Sequence, residues 1–324
     1  MASDRQTAVP IPLIPPKTGT WDLALAQTCS ALVNVAVDMG RQWFFQVDPT
    51  KTNPIATPST FQWTPQDPCA CSQQLKVLGG FEPLGLDDLI WSTFKTKDGV
   101  SHTEPFGFLA TSLDGETAYL AFRGTQGIQG EDPKSWPDTR MDLETELTPY
   151  FPPGAPNSPS IGKVETGFYA VFQGMTVDLQ QKLEQAKGKT LYLTGHSLGS
   201  TLSTLSVAWA AFYGFTGLHY PQASPKVGDQ DFADWLGKSA IPTFRLINTN
   251  DPVPKTPLNP VYVAISPENE ATFAPDYSTG RSDATNNHDP CCSYSYAVFN
   301  LTDTFNNDFS NCQAAGISYA KEGK

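Results

Sequence analysis

Ser197 sits at the centre of Gly195-His196-Ser197-Leu198-Gly199, entered from the apolar run Leu191-Tyr192-Leu193 and left through a helical pattern. A Gly-x-Ser-x-Gly between a strand and a helix describes a nucleophile elbow, a turn so sharp that its central residue takes strained φ/ψ. Side chains at Gly195 or Gly199 would collide there with the neighbouring strand and helix. A serine hydroxyl is a poor nucleophile at neutral pH, so it needs a histidine to take its proton and an acid to orient that histidine. Ser197 is therefore the candidate nucleophile, and its partners must lie elsewhere in the chain.

With this kind of elbow the acid, and then the histidine, follow the serine in sequence. Of His102, His196, His219 and His288, only the last two follow Ser197, and His219 falls in the strand directly after the elbow helix. His288 leaves room for an intervening acid and lies in the polar stretch Asn286-Asn287-His288-Asp289-Pro290, the kind of loop where a mobile base belongs. Asp251 follows the strand-like run 244–248 and is fixed by Pro252, just past a strand's carboxyl end, where open α/β sheets build their sites. The competing Asp229, Asp231 and Asp234 open a helical pattern, where N-terminal capping accounts for them, while Asp276 and Asp283 lie in a polar loop. A tetrahedral intermediate also needs two preorganised donors. One is the backbone N–H of the residue after the nucleophile, Leu198; Thr125, ending the strand that bears Arg123-Gly124, is the natural second.

The elements that must position these residues read as α/β. Residues 1–20 are an extended Pro-rich arm, and residues 21–324 a single domain. A helix is expected from Trp21 to Met39 with Gly40 as its stop, followed by a surface excursion over 48–68. Residues 106–113 and 117–122 predict a hairpin about Asp114-Gly115, and 166–187 a helix with Phe168, Val171, Phe172, Met175, Leu179 and Leu183 on its core face. Strand-like runs at 190–194, 217–222, 241–247 and 261–265 alternate with helical patterns at 198–214 and 229–238. Such alternation predicts a mostly parallel central sheet with helices on both faces.

The pieces Ala121-Phe-Arg-Gly-Thr125, Val164-Glu-Thr-Gly-Phe168, Leu193-Thr-Gly-His-Ser-Leu-Gly199, Ala223-Ser-Pro-Lys-Val-Gly228, Asn248-Thr-Asn-Asp-Pro-Val-Pro254 and His288 come in that order. Together they resemble a class 3 lipase of the fungal type, a family within the α/β-hydrolase superfamily. The resemblance implies Ser197, Asp251 and His288 as triad, Thr125 and Leu198 as oxyanion hole, and Asp142 as a partner of the oxyanion hydroxyl. It also implies a lid over about 126–146. Three positions depart from the family's usual residues: Glu165 for His, Ser200 for Gly, and Ala223 for Gly. The activity so implied is serine carboxylic ester hydrolysis, first of acylglycerols, with feruloyl or phospholipase-type esters as the alternative. A non-catalytic binding protein on this fold is disfavoured, because every required group is present. The lid segment carries only Ile128, Trp136, Met141 and Leu143 among many polar residues, so weak interfacial activation is expected.

The net charge of −12 and the lack of clustered Lys and Arg argue against a nucleic-acid partner. An ester substrate, with contact to a lipid–water interface, is the expected partner. No apolar run approaches the roughly 20 residues that span a bilayer, so a transmembrane segment is not expected. The residues Met1 to Gln6 show no apolar signal region, leaving secretion with the signal already removed, or a cytoplasmic location, as alternatives. Cys29, Cys69, Cys71, Cys291, Cys292 and Cys312 form an even set that permits up to three bridges, and their spacing does not suit zinc. Proton transfer and oxyanion binding account for the chemistry, so no cofactor or metal is expected.

Overall fold

The computed structural model describes residues 13–16, 21–46, 58–66, 75–95, 99–125, 146–151, 159–274 and 287–299. Asp142, Asp276, Asp283, most of the arm and all but Glu146 of the expected lid lie outside them. Helix α1 (Leu23–Gln46) precedes strands β1 (Leu89–Lys95), β2 (Ser101–Thr111) and β3 (Thr117–Phe122). The short strands β4 (Leu147–Pro149) and β5 (Lys163–Glu165) lead into helices α2 (Thr166–Gly174) and α3 (Thr176–Gln185). Then come β6 (Thr190–His196), α4 (Leu198–Phe212), β7 (Gly217–Gln222), α5 (Gln230–Gly237), β8 (Arg245–Asn248) and β9 (Glu270–Phe273).

Seven strands form one sheet in the order β1-β2-β3-β6-β7-β8-β9, and β4 pairs with β5 in a separate ribbon. The first three are antiparallel neighbours, and every pair from β3 to β9 is parallel. Side chains alternate across this sheet with period two. In β3, Ala118, Leu120 and Phe122 enter the core built with Phe172 of α2, Leu179 of α3, Leu202 of α4 and Phe232 of α5. Tyr119 and Ala121 enter the opposite core, where α1 contributes Leu25, Leu32, Val35 and Met39. The sheet therefore lies between two helical layers, and its parallel strands all end on one side.

Four expectations change. The first helix runs past Gly40 to Gln46, because the amide ends of Gln42 and Gln46 pair with the backbone of Thr64 and Gln62 and extend the packed length. That same pairing turns the 48–68 excursion inward at Phe61, which is buried against Trp91. The 166–187 helix is two helices broken at Met175, where Gly174 presses on β1 so closely that a Cβ would meet the Thr93 carbonyl at 2.3 Å. The run 261–265 makes only a single bridge, Val263 to Gly228, and the place beside β8 goes to β9, whose Glu270 pairs with the buried Arg245. Strand β1 had no counterpart among the expected elements.

The Pro-rich arm reaches the far edge of this sheet. Ile14 exchanges two 2.8 Å backbone hydrogen bonds with Thr272 on β9, covering an edge that would otherwise offer unpaired donors and acceptors. Over Leu23–Phe44, α1 is apolar and long enough to cross a membrane, against expectation, but 72% of that window is buried inside the protein. It is a core helix here. Cys29 is a free, buried thiol and Cys291 is disulfide-bonded, so at most two bridges can form.

His219, set aside as a candidate base, is fully buried on β7 between the Ser203 and Thr243 hydroxyls at 2.9 and 3.1 Å. Burial pushes it down to about 3. The unfolded chain would bind a proton below about pH 6.5 that the folded chain refuses, so stability is lost as pH falls through that window. Between pH 6.5 and 4, the His219→Gln variant is expected to lose roughly 3 kcal/mol less than the parent, read from denaturant midpoints. Parallel pH curves for the two proteins would refute this.

Candidate active site

The site forms where β3, β6, β8 and β9 end. Ser197 follows β6 directly and caps α4 with φ 56° and ψ −123°, a region ordinary side chains avoid. The flanking glycines are required by contact: a Cβ at Gly195 would lie 2.1 Å from the Gly199 carbonyl oxygen, and one at Gly199 would lie 2.3 Å from that of Arg123. Ser200 occupies its departing position without strain and donates its Oγ proton to the Ser197 carbonyl at 2.5 Å.

His288 Nε2 is 2.8 Å from Ser197 Oγ, and its Nδ1 is 2.7 Å from Asp251 Oδ2. A carboxylate can only accept, so Nδ1 carries the proton and Nε2 presents a lone pair to the serine hydroxyl. Asp251 is fully buried, and its charge is met by three donors: His288 Nδ1, the Tyr294 hydroxyl at 2.7 Å and the Val253 backbone N–H at 2.9 Å. Such an arrangement can strip the serine proton, hold the resulting imidazolium and return the proton to a leaving group.

Tyr294 and Asn248 are the members that sequence reasoning missed. Burial, and then the Asp251 charge, hold the Tyr294 phenol well above its ordinary range, so it stays a donor. Its oxygen in turn accepts from the Asn248 N–H at 3.2 Å. The Asn248 amide donates to the Asn287 carbonyl and to Ser293 Oγ, both at 3.0 Å, tying the strand that leads to Asp251 to the segment that bears His288. The same segment is bound to α1: Ser295 Oγ lies 2.6 Å from Ser30 Oγ and 2.8 Å from Asn34 Nδ2. A tyrosine six residues past the histidine carries no motif, so only the folded chain reveals it. Tyr294→Phe is expected to lower kcat about tenfold at constant KM, since a hydrogen bond to a charged group is removed while the imidazole partner stays. An unchanged kcat would reduce Tyr294 to packing.

The Arg123-Gly124-Thr125 turn passes directly over the serine. A Cβ at Gly124 would sit 3.1 Å from Ser197 Cβ and 3.0 Å from the His196 carbonyl oxygen, so the residue before half-buried Thr125 packs directly on Ser197. Arg123 anchors the turn: it is buried, bonded to Glu104 and to the Pro105 and Gly124 carbonyls, and stacked 4.3 Å over the Phe106 ring. Leu198 opens α4, so its N–H has no intrahelical acceptor and points with the positive end of the helix dipole.

Of the rejected acids, Asp229 falls where capping placed it, while Asp234 lies within the helix. Asp229 caps α5 by accepting from Phe232 N at 3.0 Å, and Asp234 pairs with Gln230. Glu165 is a helix cap too, accepting from Phe168 N at 2.7 Å, work that a carboxylate does well at a helix N-terminus. Ala223 takes φ 52°, the left-handed region in which the family's usual glycine costs least. Among the described residues, no group of three or more His, Cys, Asp or Glu side chains could hold a metal ion.

A sheet of this order with a serine elbow at its centre is an α/β-hydrolase fold. The family model described as lipase (class 3) matches residues 119–261 of this chain. The chain is 28% identical over 187 residues to the secreted mono- and diacylglycerol lipase A of Penicillium cyclopium, covering 56% of each chain. The secreted mono- and diacylglycerol lipase 1 of Fusarium solani is 30% identical over 98 residues, 29% of each. The chain thus spans about half the length of the first of these relatives, and less of the second. Among solved structures, the Lip2 lipase of Yarrowia lipolytica superposes with a TM-score of 0.51 at 19% identity over 82% of each chain, a likeness of fold.

Proposed function

We propose that this chain is a serine carboxylic ester hydrolase that cleaves acylglycerol esters through an acyl-enzyme on Ser197. The observation that carries the reading is the unbroken relay from buried Asp251 through His288 to Ser197 Oγ, at 2.7 and 2.8 Å. His288 Nε2 takes the hydroxyl proton as Oγ attacks the ester carbonyl carbon. The oxyanion is met by the Leu198 and Thr125 N–H groups. Collapse expels the alcohol, which receives its proton from His288, and a water molecule then repeats the sequence to release the acid.

Residues 21–324 act in this reading as one domain, with about 126–146 as a lid and a lipid–water interface as partner. The polarity of that lid supports weak interfacial activation. The names of the Penicillium and Fusarium relatives support acylglycerols as substrates and secretion as the location. A fluorophosphonate is expected to label the protein, with the label lost in Ser197→Ala. A series of p-nitrophenyl esters of increasing chain length, run beside a feruloyl ester, then ranks the substrates. An unlabelled wild type overturns the reading, and a preference for the feruloyl ester overturns the acylglycerol assignment.

A further inference from the structure

His196 takes part in none of the steps above, yet three parts of the site meet on its side chain. Its ring lies 4.6 Å from the His288 ring with the planes at 45°, and 5.4 Å from the Tyr294 ring at 78°. The oxyanion turn closes on it as well, since a Cβ at Gly124 would be 3.3 Å from His196 Nδ1. The residue is 3% exposed. Burial first, and the His288 charge second, hold it well below the ordinary histidine range against the opposing pull of a hydrogen bond between its ring and the His288 backbone, so it is uncharged at neutral pH.

His288 needs such a neighbour. Its two hydrogen bonds leave from opposite sides of the ring, at Nδ1 and Nε2, and so fix the line between Asp251 and Ser197. They do not fix the roll of the ring about that line, and hydrogen bonds weaken steeply once misaligned. With 23% of its side chain exposed, His288 is supported from within the protein, and His196 is the ring packed there.

We propose that His196 is a positioning residue: a buried aromatic wedge whose faces set the roll of the His288 imidazole and the seat of the Gly124 turn beside Ser197. It acts through the faces of its ring rather than through the hydrogen bond that its ring makes to the His288 backbone, and it moves no proton. The proposal rests on Ser197 and His288 being the hydrolytic pair.

Two variants of the full chain separate ring from nitrogen. His196→Phe keeps a flat aromatic face, whereas His196→Leu keeps bulk without one. With p-nitrophenyl butyrate, His196→Leu is expected to lose about 30-fold in kcat with KM within twofold, to label correspondingly slowly with a fluorophosphonate, and to broaden the downfield proton NMR signal of the His288 Nδ1–H. His196→Phe is expected to recover all three to within about threefold. A wild-type kcat in His196→Leu overturns the wedge, and so does a His196→Phe variant as impaired as the leucine one, which would assign the role to a ring nitrogen. Should the leucine variant fail to fold, His196→Gln replaces it with the same expected losses and the same refuting outcomes. Wild-type labelling at Ser197 is measured first: its absence defeats the hydrolase reading, whereas a labelled wild type beside an unimpaired leucine variant defeats only the wedge.

Discussion

Replacing Ser197 by glycine is expected to lower ester hydrolysis by at least about 10⁴-fold while raising stability by about 1 kcal/mol. The two effects share a cause. The elbow holds residue 197 at φ 56°, ψ −123°, a conformation that costs a residue bearing a Cβ on the order of 1–3 kcal/mol. Glycine gives back part of that through the greater freedom of its unfolded chain, leaving a modest net gain. The cost is retained because it lifts Oγ out of the turn toward His288 Nε2. Activity on a p-nitrophenyl ester and a denaturant midpoint test both halves. Residual turnover near the parent's would remove Ser197 as nucleophile, and a lower midpoint would show that no strain is stored there.

The second large effect is expected at the acid. Asp251→Asn should lower kcat by about 10³- to 10⁴-fold with little change in KM, and destabilise the fold by roughly 2 kcal/mol. The carboxylate accepts three protons from three directions, and an amide can accept on one side only. If the amide nitrogen faces Val253 N–H, His288 keeps an acceptor but loses the charge that holds its imidazolium. If it faces His288 and Tyr294, the imidazole is driven into the wrong tautomer. Either orientation also leaves a buried donor without an acceptor. Retention of a tenth of the parent's kcat would mean that another group orients the histidine.

The elbow was legible because backbone packing there excludes every residue but glycine at 195 and 199, a demand that sequence displays directly. Asp251 and His288 were legible through chain order, since a parallel sheet delivers its strand ends to one side in sequence. Tyr294 and His196 were not, because an aromatic residue looks the same in sequence whether it fills a core or steadies a base. Strand β1 was hidden because residue type and burial disagree there: burial alternates from Ile90 to Lys95, but polar Ser92 lies on the buried face and apolar Trp91 on the other, so the sequence shows no clean alternation. The error at 261–265 was one of competition. Both that run and 270–273 could have paired with β8, and the charge on Arg245, meeting Glu270, favours the second. Helix α1 outran its glycine stop because tertiary partners outweigh local propensity.

The bonds from Ser30 and Asn34 to Ser295 join residues more than 260 positions apart in the chain. During synthesis α1 is made long before the segment around Ser295, so Ser30 and Asn34 lack this partner until residue 295 follows. The segment that supplies Ser295 is the one that brings His288 and Tyr294 to Asp251. Closure of this part of the core and the arrival of His288 beside Ser197 are thus coupled, and a nascent chain that has completed the elbow at Gly199 must still be extended past His288 before the two can meet.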